Sequence, residues 1–290
     1  MQRQQTAFTL IELLVVIVIL GVVIAITTPA LTQAKTSAAV NGSLANLRTH
    51  GVWVAAYAAD HRGDLINPFA KRGPDQSVLR PGDRHPTPVP FLPDGFSPLY
   101  ARLVGHDLAD DWQVYDETFY APRDGFVDEL QAMRENSDAG FLFNRDAMTP
   151  ASYCYSSSMY QMDYRVQVSD GATLANVIQR REISEIAYPA HKVVFHERAD
   201  YASARDVDNQ LRWYEAGAAP AAALADGHAC IVPVDEIYAS IEQGNEALQP
   251  AFTIDIRFAH DEDRPRSPFN FQSNGLFWAT RDGLQGVDLP

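Results

Sequence analysis

Seven mostly polar residues, MQRQQTA, precede a run in which polarity almost disappears. From Phe8 to Ile26, only Thr9 and Glu12 are polar among 19 residues. At about 1.5 Å per residue such a helix is roughly 28 Å long, close to the hydrocarbon thickness of a bilayer, and it satisfies its own backbone there. The pattern predicts a membrane span. An ordinary secretory signal fits it poorly: the basic region is thin, the apolar run is long, and AITTPA is a weak exit site.

Beyond Pro29 the period changes. Val40, Leu44, Leu47, Gly51, Val54 and Ala58 recur at alternating spacings of four and three, which marks one apolar face of a helix. Trp53 and Tyr57 add an aromatic patch on a neighbouring face, and Gly63 supplies a C-terminal stop. This stripe packs on a globular head or, alternatively, forms a seam with other subunits. Pro29 lacks an N–H and clashes with the carbonyl four residues back. It either kinks or melts the helix locally, with Thr27 and Thr28 satisfying the loosened carbonyls, or simply ends the span.

Period-two signals concentrate later. Ser152–Tyr160 alternates, Lys192–His196 is a short β-rich run behind Pro189, and Phe252–Phe258 could form a last strand. In Ala221–Val234 the pair Asp226-Gly227 separates two apolar runs, a strong hairpin signal because Gly accepts φ > 0. Residues 66–98 are rich in Pro and Gly and read as an irregular surface loop anchored by Phe69, Phe91 and Phe96. Short helices are expected at Pro98–Leu108 and Asp128–Arg134. The natural solution is α+β: a long N-terminal helix, membrane-spanning in its first half, packed on an antiparallel sheet. The expected segments are a leader at 1–7, a span at 8–29, an amphipathic continuation at 30–63 and a head at 64–290.

Composition narrows the partners. Apolar residues are 46% of the 290, enough for a core in the head. The formal net charge of −14, carried almost wholly after residue 50, makes nucleic acid and anionic surfaces poor partners through bulk electrostatics. Cys154 and Cys230 are too few for a disulfide scaffold; outside the cytoplasm they form one bridge or stand as two buried thiols. Glu12 is the anomaly. A carboxylate costs on the order of 3 kcal/mol at mid-bilayer, less near an end, so it marks a functional site by default. If the chain is cut between Ala7 and Phe8, the new α-amine of one subunit could neutralise Glu12 of another. Otherwise Glu12 snorkels to the headgroups.

AFTLIELLVVI, Ala7 to Ile17, resembles the cleavage and methylation segment of type IV pilins and type II secretion pseudopilins. In that family a membrane peptidase cuts behind a short polar leader on the cytoplasmic side. The exposed residue, typically Phe, is N-methylated, and a Glu five residues into the processed chain guides subunits into a helical filament. The resemblance thus assigns processing to Ala7 and Phe8 and assembly to Glu12, and it matches Gly21 and Pro29 to the family's Gly and Pro. Ala7 departs from the usual Gly but is also small. Asn46–Leu65 and the turn Asp226-Gly227-His228 resemble, more loosely, a large pseudopilin-like subfamily.

The resemblance implies a structural subunit of a type II secretion pseudopilus or a pilus-like filament. Its implied partners are the prepilin peptidase, other pilin-like subunits, an inner-membrane assembly platform and lipid. It further implies a single pass through the inner membrane with the N-terminus cytoplasmic, the head periplasmic, and a periplasmic or cell-surface location after assembly. Family members often carry Ca²⁺ in a C-terminal loop, which makes Asp261, Glu262 and Asp263 candidate ligands, although a solvated acidic loop explains them as well. No cofactor is otherwise expected. His228 beside Asp226 reads as a turn, and His191, His196 and Glu197 are splayed by strand alternation. Nucleophile-elbow, zincin and P-loop patterns are missing, so the chain is not expected to be an enzyme. The competing expectations are a membrane-anchored binding protein that never polymerises and a tethered enzyme with an unrecognised site.

Overall fold

One uninterrupted helix, α1 (Leu10–Asp60), carries the apolar run straight into the head. The computed structural model describes residues 10–66, 117–125, 152–159, 181–203, 210–245, 253–255, 272–274, 276 and 283–290. Pro29 lies inside α1, so it neither ends nor melts the helix. Its missing N–H would have bonded the carbonyl of Ala25. The Thr28 hydroxyl donates instead to Ile24 O at 2.7 Å, the Thr27 hydroxyl to the same oxygen at 3.3 Å, and Thr32 Oγ1 to Thr28 O at 3.1 Å. The threonines thus reinforce the turn one residue earlier than expected. At the other end the chain turns left-handed at Arg62 (φ 61) and Gly63 (φ 92), and Gly63 N–H closes on Ala58 O at 2.7 Å. That is a Schellman-type stop.

The head is built on four antiparallel strands in spatial order: β1 (Tyr153–Tyr155), β2 (Val193–Glu197), β3 (Ala221–Leu224) and β4 (Ala229–Ile231). The first expected strand is cut to three residues because the chain turns at Ser157–Met159; the second is displaced by one residue. A helix that the sequence reading omitted, α2 (Val234–Glu242), follows β4 directly. A separate two-stranded sheet pairs β5 (Thr253–Asp255) with β6 (Gln272–Asn274). Residues 67–98, the helices expected at Pro98–Leu108 and Asp128–Arg134, the pair Ala7 and Phe8, and the trio Asp261, Glu262 and Asp263 lie outside the described residues.

The sheet is buried on both faces. Against α1 lie Tyr153, Tyr155, Phe195, Ala221, Ala223 and Ala229. The alanines let the helix backbone come close, because contact distance follows side-chain size. On the far face Val193, Ala222, Leu224 and Cys230 pack with Trp213, Val232 and Ile237, the last from α2. The β2–β3 register slips between Val193 and Phe195. That bulge resets the alternation, so that His196 meets Trp213 on the far face while Glu197 points at α1.

Two expectations need correction. The buried face of α1 is Ala39, Ser43, Leu47, His50, Val54 and Ala58; Val40, Leu44 and Gly51 only flank it. The face is rotated because Ser43 finds a polar partner on the sheet and His50 sits among the rings of Trp53, Tyr153 and Phe195, at 5.1, 5.1 and 5.4 Å. Second, of the two alternatives for Cys154 and Cys230 the bridge falls away and the free thiols stand, Cys154 buried and Cys230 half-buried. They occupy β1 and β4, the two outer strands, three strand spacings or roughly 14 Å apart. A disulfide requires Cα atoms within about 7 Å.

Two glycines of α1 should respond oppositely to a methyl group. A Cβ on Gly42 would meet Pro122 Cγ at 2.6 Å, whereas one on Gly51 meets nothing within 4 Å. Gly51→Ala is therefore expected to stabilise the chain by about 1 kcal/mol through helix propensity. Gly42→Ala must offset the same gain against an overpacking cost of roughly 1–3 kcal/mol, and should lower stability. Urea unfolding of the two variants in detergent checks the signs.

Candidate functional site

The candidate site is the exposed half of α1. Every residue from Leu10 to Ile26 is exposed, and the 18-residue apolar window is 0% buried against the rest of the chain. Thr36 is the first half-buried residue, its hydroxyl 3.4 Å from Arg123 of the head, so the 26 residues from Leu10 to Lys35, roughly 39 Å of helix, stand clear of it. Water is a poor solvent for that much contiguous Leu, Ile and Val surface, far beyond what monomeric proteins expose. Lipid or other apolar helices are the chemistry that fits.

Glu12 sits in the first turn of α1, where the helix dipole favours an anion. Gly21 has an open flank, and Pro29 lies eight residues further along. The processing pair, Ala7 and Phe8, is outside the described residues.

A second polar feature, missed by the sequence reading, joins α1 to the sheet. Ser43 donates to Glu197 Oε1 at 2.5 Å, Ala221 N–H donates to Glu197 Oε2 at 2.8 Å, and the Tyr153 hydroxyl lies 3.4 Å from Ser43 Oγ. Asn46 donates to Tyr153 at 3.1 Å and to Tyr120 O at 3.1 Å. Burial pushes the Glu197 carboxyl up to about 7; the bonds from Ala221 and Ser43 pull it back, while Asp200 and Asp124 add to the rise. Burial also raises the Tyr153 phenol and pushes His196 down to about 4. A strand alternating between apolar residues and a His-Glu pair was legible, but only the bulge shows which face each takes.

A third feature pins the C-terminal residues. Lys192 Nζ lies 3.3 Å from Asp288 Oδ2 and donates to Gly283 O at 2.7 Å, and Val193 N–H donates to the same Asp288 oxygen at 2.8 Å. Nothing in the local pattern around Asp288 announced this.

The Asp226-Gly227-His228 turn closes the β3–β4 hairpin. Gly227 is at φ 88, Leu224 N–H donates to His228 O at 2.7 Å, and Asp226 Oδ1 accepts from His228 N–H at 2.9 Å. The Asp side chain is thus used on its own backbone, with Asp226 and His228 both exposed at the tip. His191 is exposed on a turn and His196 faces away from Glu197, so the three do not converge. Among the described residues no group of three or more His, Cys, Asp or Glu side chains could hold a metal ion.

A long apolar helix extending from a small antiparallel α+β head is consistent with a pilin-like fold, and the exposed helix with a membrane-anchored, single-pass chain. Residues 2–28 match the family model for the prokaryotic N-terminal methylation motif. The chain therefore carries a prepilin-type methylation segment, in keeping with a type IV pilin-like protein or pseudopilin. No curated protein and no solved structure matches it.

Proposed function

We propose that the chain is a pilin-like structural subunit and not an enzyme. Prepilin peptidase cuts it between Ala7 and Phe8, and Phe8 is N-methylated. Segment 8–29 spans the inner membrane with its N-terminus in the cytoplasm, and 64–290 forms a periplasmic head. Subunits then assemble through an inner-membrane platform, packing by way of Glu12, Gly21 and Pro29, into a type II secretion pseudopilus or pilus-like filament. One observation carries the reading: the residues of the methylation motif coincide with a helix half that the head leaves uncovered, with a carboxylate in its first turn.

Mass spectrometry of the N-terminal peptide tests it. The expected product begins at Phe8 and bears one added methyl group. An intact Met1 in every copy, or a cut beyond Ala30, would remove the reading.

A further inference from the structure

The layer between α1 and the sheet buries His50 among the rings of Trp53, Tyr153 and Phe195 and, about two turns back along α1, holds a polar cluster around Ser43. There Glu197, 1% exposed, reaches from β2 across to Ser43 of α1 and to the Ala221 N–H of β3. Every neighbouring element presents groups that bear on it. From α1 come Ser43 and, through Tyr153, Asn46 and the buried ring of His50. From β1 comes the Tyr153 hydroxyl. The turn at 121–124 brings Asp124, already accepting from Ser152 at 2.6 Å. The turn after β2 brings Asp200, held by the N–H groups of Ser203 and Ala219 at 3.0 Å each. His196, its neighbour on β2, points to the opposite face against Trp213. Thus the charges of Asp200 and Asp124 act on Glu197, and its hydrogen-bond partners are one hydroxyl and one amide.

We propose that Glu197 and Ser43 form a proton-dependent latch between α1 and the head, closed while Glu197 carries its proton and loosened when it gives the proton up. The protonated carboxyl suits its surroundings. One oxygen accepts from Ala221, and the other shares a hydrogen bond with a hydroxyl that can donate or accept. The ionised carboxyl is a desolvated anion repelled by the charges of Asp200 and Asp124, and the simplest relief is for α1 to lift near Ser43 and admit water. α1 is also the membrane-embedded element, so loosening it frees the angle of the head relative to the membrane. This holds for the single chain and does not depend on whether the chain polymerises.

The sign follows from linkage. Glu197 has its ordinary value, 4.5, when water reaches it and is pushed up to about 7 when the layer is closed. Closure is therefore strongest below pH 4.5 and weakens as pH rises to about 7. His196 works the other way. Pushed down to about 4 from 6.5, it contributes stability above pH 6.5 that is lost as pH falls through 4. It lies beneath Trp213, however, and lifting α1 does not uncover it. Its effect belongs to global unfolding.

Hydrogen exchange on the full chain in detergent micelles, with labelling times scaled to hold intrinsic exchange constant, reads the latch. Protection of the amides of α1 from Ala39 to Ala58 is expected to fall by roughly tenfold or more between pH 5 and 7.5, since linkage allows up to a factor of ten per pH unit. The amides of α2, beyond the sheet, should not follow. In Glu197→Gln the slope disappears, because Gln keeps both hydrogen bonds by turning the Ser43 hydroxyl. Equal slopes in wild type and Glu197→Gln would overturn the latch. If that variant does not fold, Ser43→Ala decides: removing a donor that favours the ionised form must move the midpoint to higher pH, and an unmoved midpoint overturns the proposal.

Discussion

Asp288→Ala is expected to destabilise the head by about 3–5 kcal/mol, a large part of the roughly 5–15 kcal/mol that holds a typical domain together. The side chains of Lys192 and Asp288 are 0% and 1% exposed, so water cannot replace the lost partner. The truncation also strips Val193 N–H of its 2.8 Å acceptor at the start of β2. Lys192 would keep Gly283 O at 2.7 Å, but a neutral carbonyl does not compensate a buried ammonium. The pair itself is less valuable than its rupture is costly. Lys192→Met together with Asp288→Leu should therefore cost clearly less than either single truncation, the signature of a positive coupling in a double-mutant cycle. Chemical denaturation followed by Trp fluorescence measures this, Trp213 being buried near the same cluster. If Asp288→Ala unfolds within 1 kcal/mol of wild type, the pair does not hold the C-terminal residues in place.

What could be read from the sequence was what depends on local chemistry. The exposed helix half was legible because none of the described residues covers it: its pattern answers to lipid, and an unbroken apolar run is the plainest pattern there is. The β3–β4 hairpin was legible because Gly227 must take φ 88, a requirement met within three residues. An antiparallel sheet on the long helix followed from those pieces; its strand order did not, because residues 156–192 and 198–220 separate β1, β2 and β3.

The buried face of α1 and the state of the cysteines turn on partners far apart in sequence. Ser43 was not part of the expected α1 stripe, yet it is buried because Glu197, 154 residues away in sequence, lies opposite it. Pro29 was expected to kink or melt the helix or to end the span; the helix runs on through it, with threonine hydroxyls bonded to the carbonyls of the turns around it. The cysteines could not be placed on β1 and β4 before the strand order was known. α2 was omitted although Pro233, Asp235 and Glu236 open it and Val234, Ile237, Tyr238 and Ile241 share its apolar face. That omission was one of reading, since the signal was present.

Glu12→Ala is expected to leave the chain cut at Phe8 and held in the membrane while reducing filament yield by at least roughly tenfold, the factor that each 1.4 kcal/mol lost per subunit contact imposes on the equilibrium. Removing a carboxylate from an apolar segment improves its partition into lipid, so anchoring cannot suffer. Assembly can, because the α-amine of Phe8 then enters an apolar bundle with no counter-charge. Glu12→Gln should fall between, offering a hydrogen bond but no charge. Co-sedimentation of the sheared filament fraction, beside blotting of the membrane fraction, separates the two effects. A filament yield unchanged in Glu12→Ala would sink the amine–carboxylate pair and leave α1 as an anchor for a non-polymerising head. Lost filaments with the leader still attached would trace the defect to processing at Ala7, since an uncut chain never presents the Phe8 amine to a neighbour.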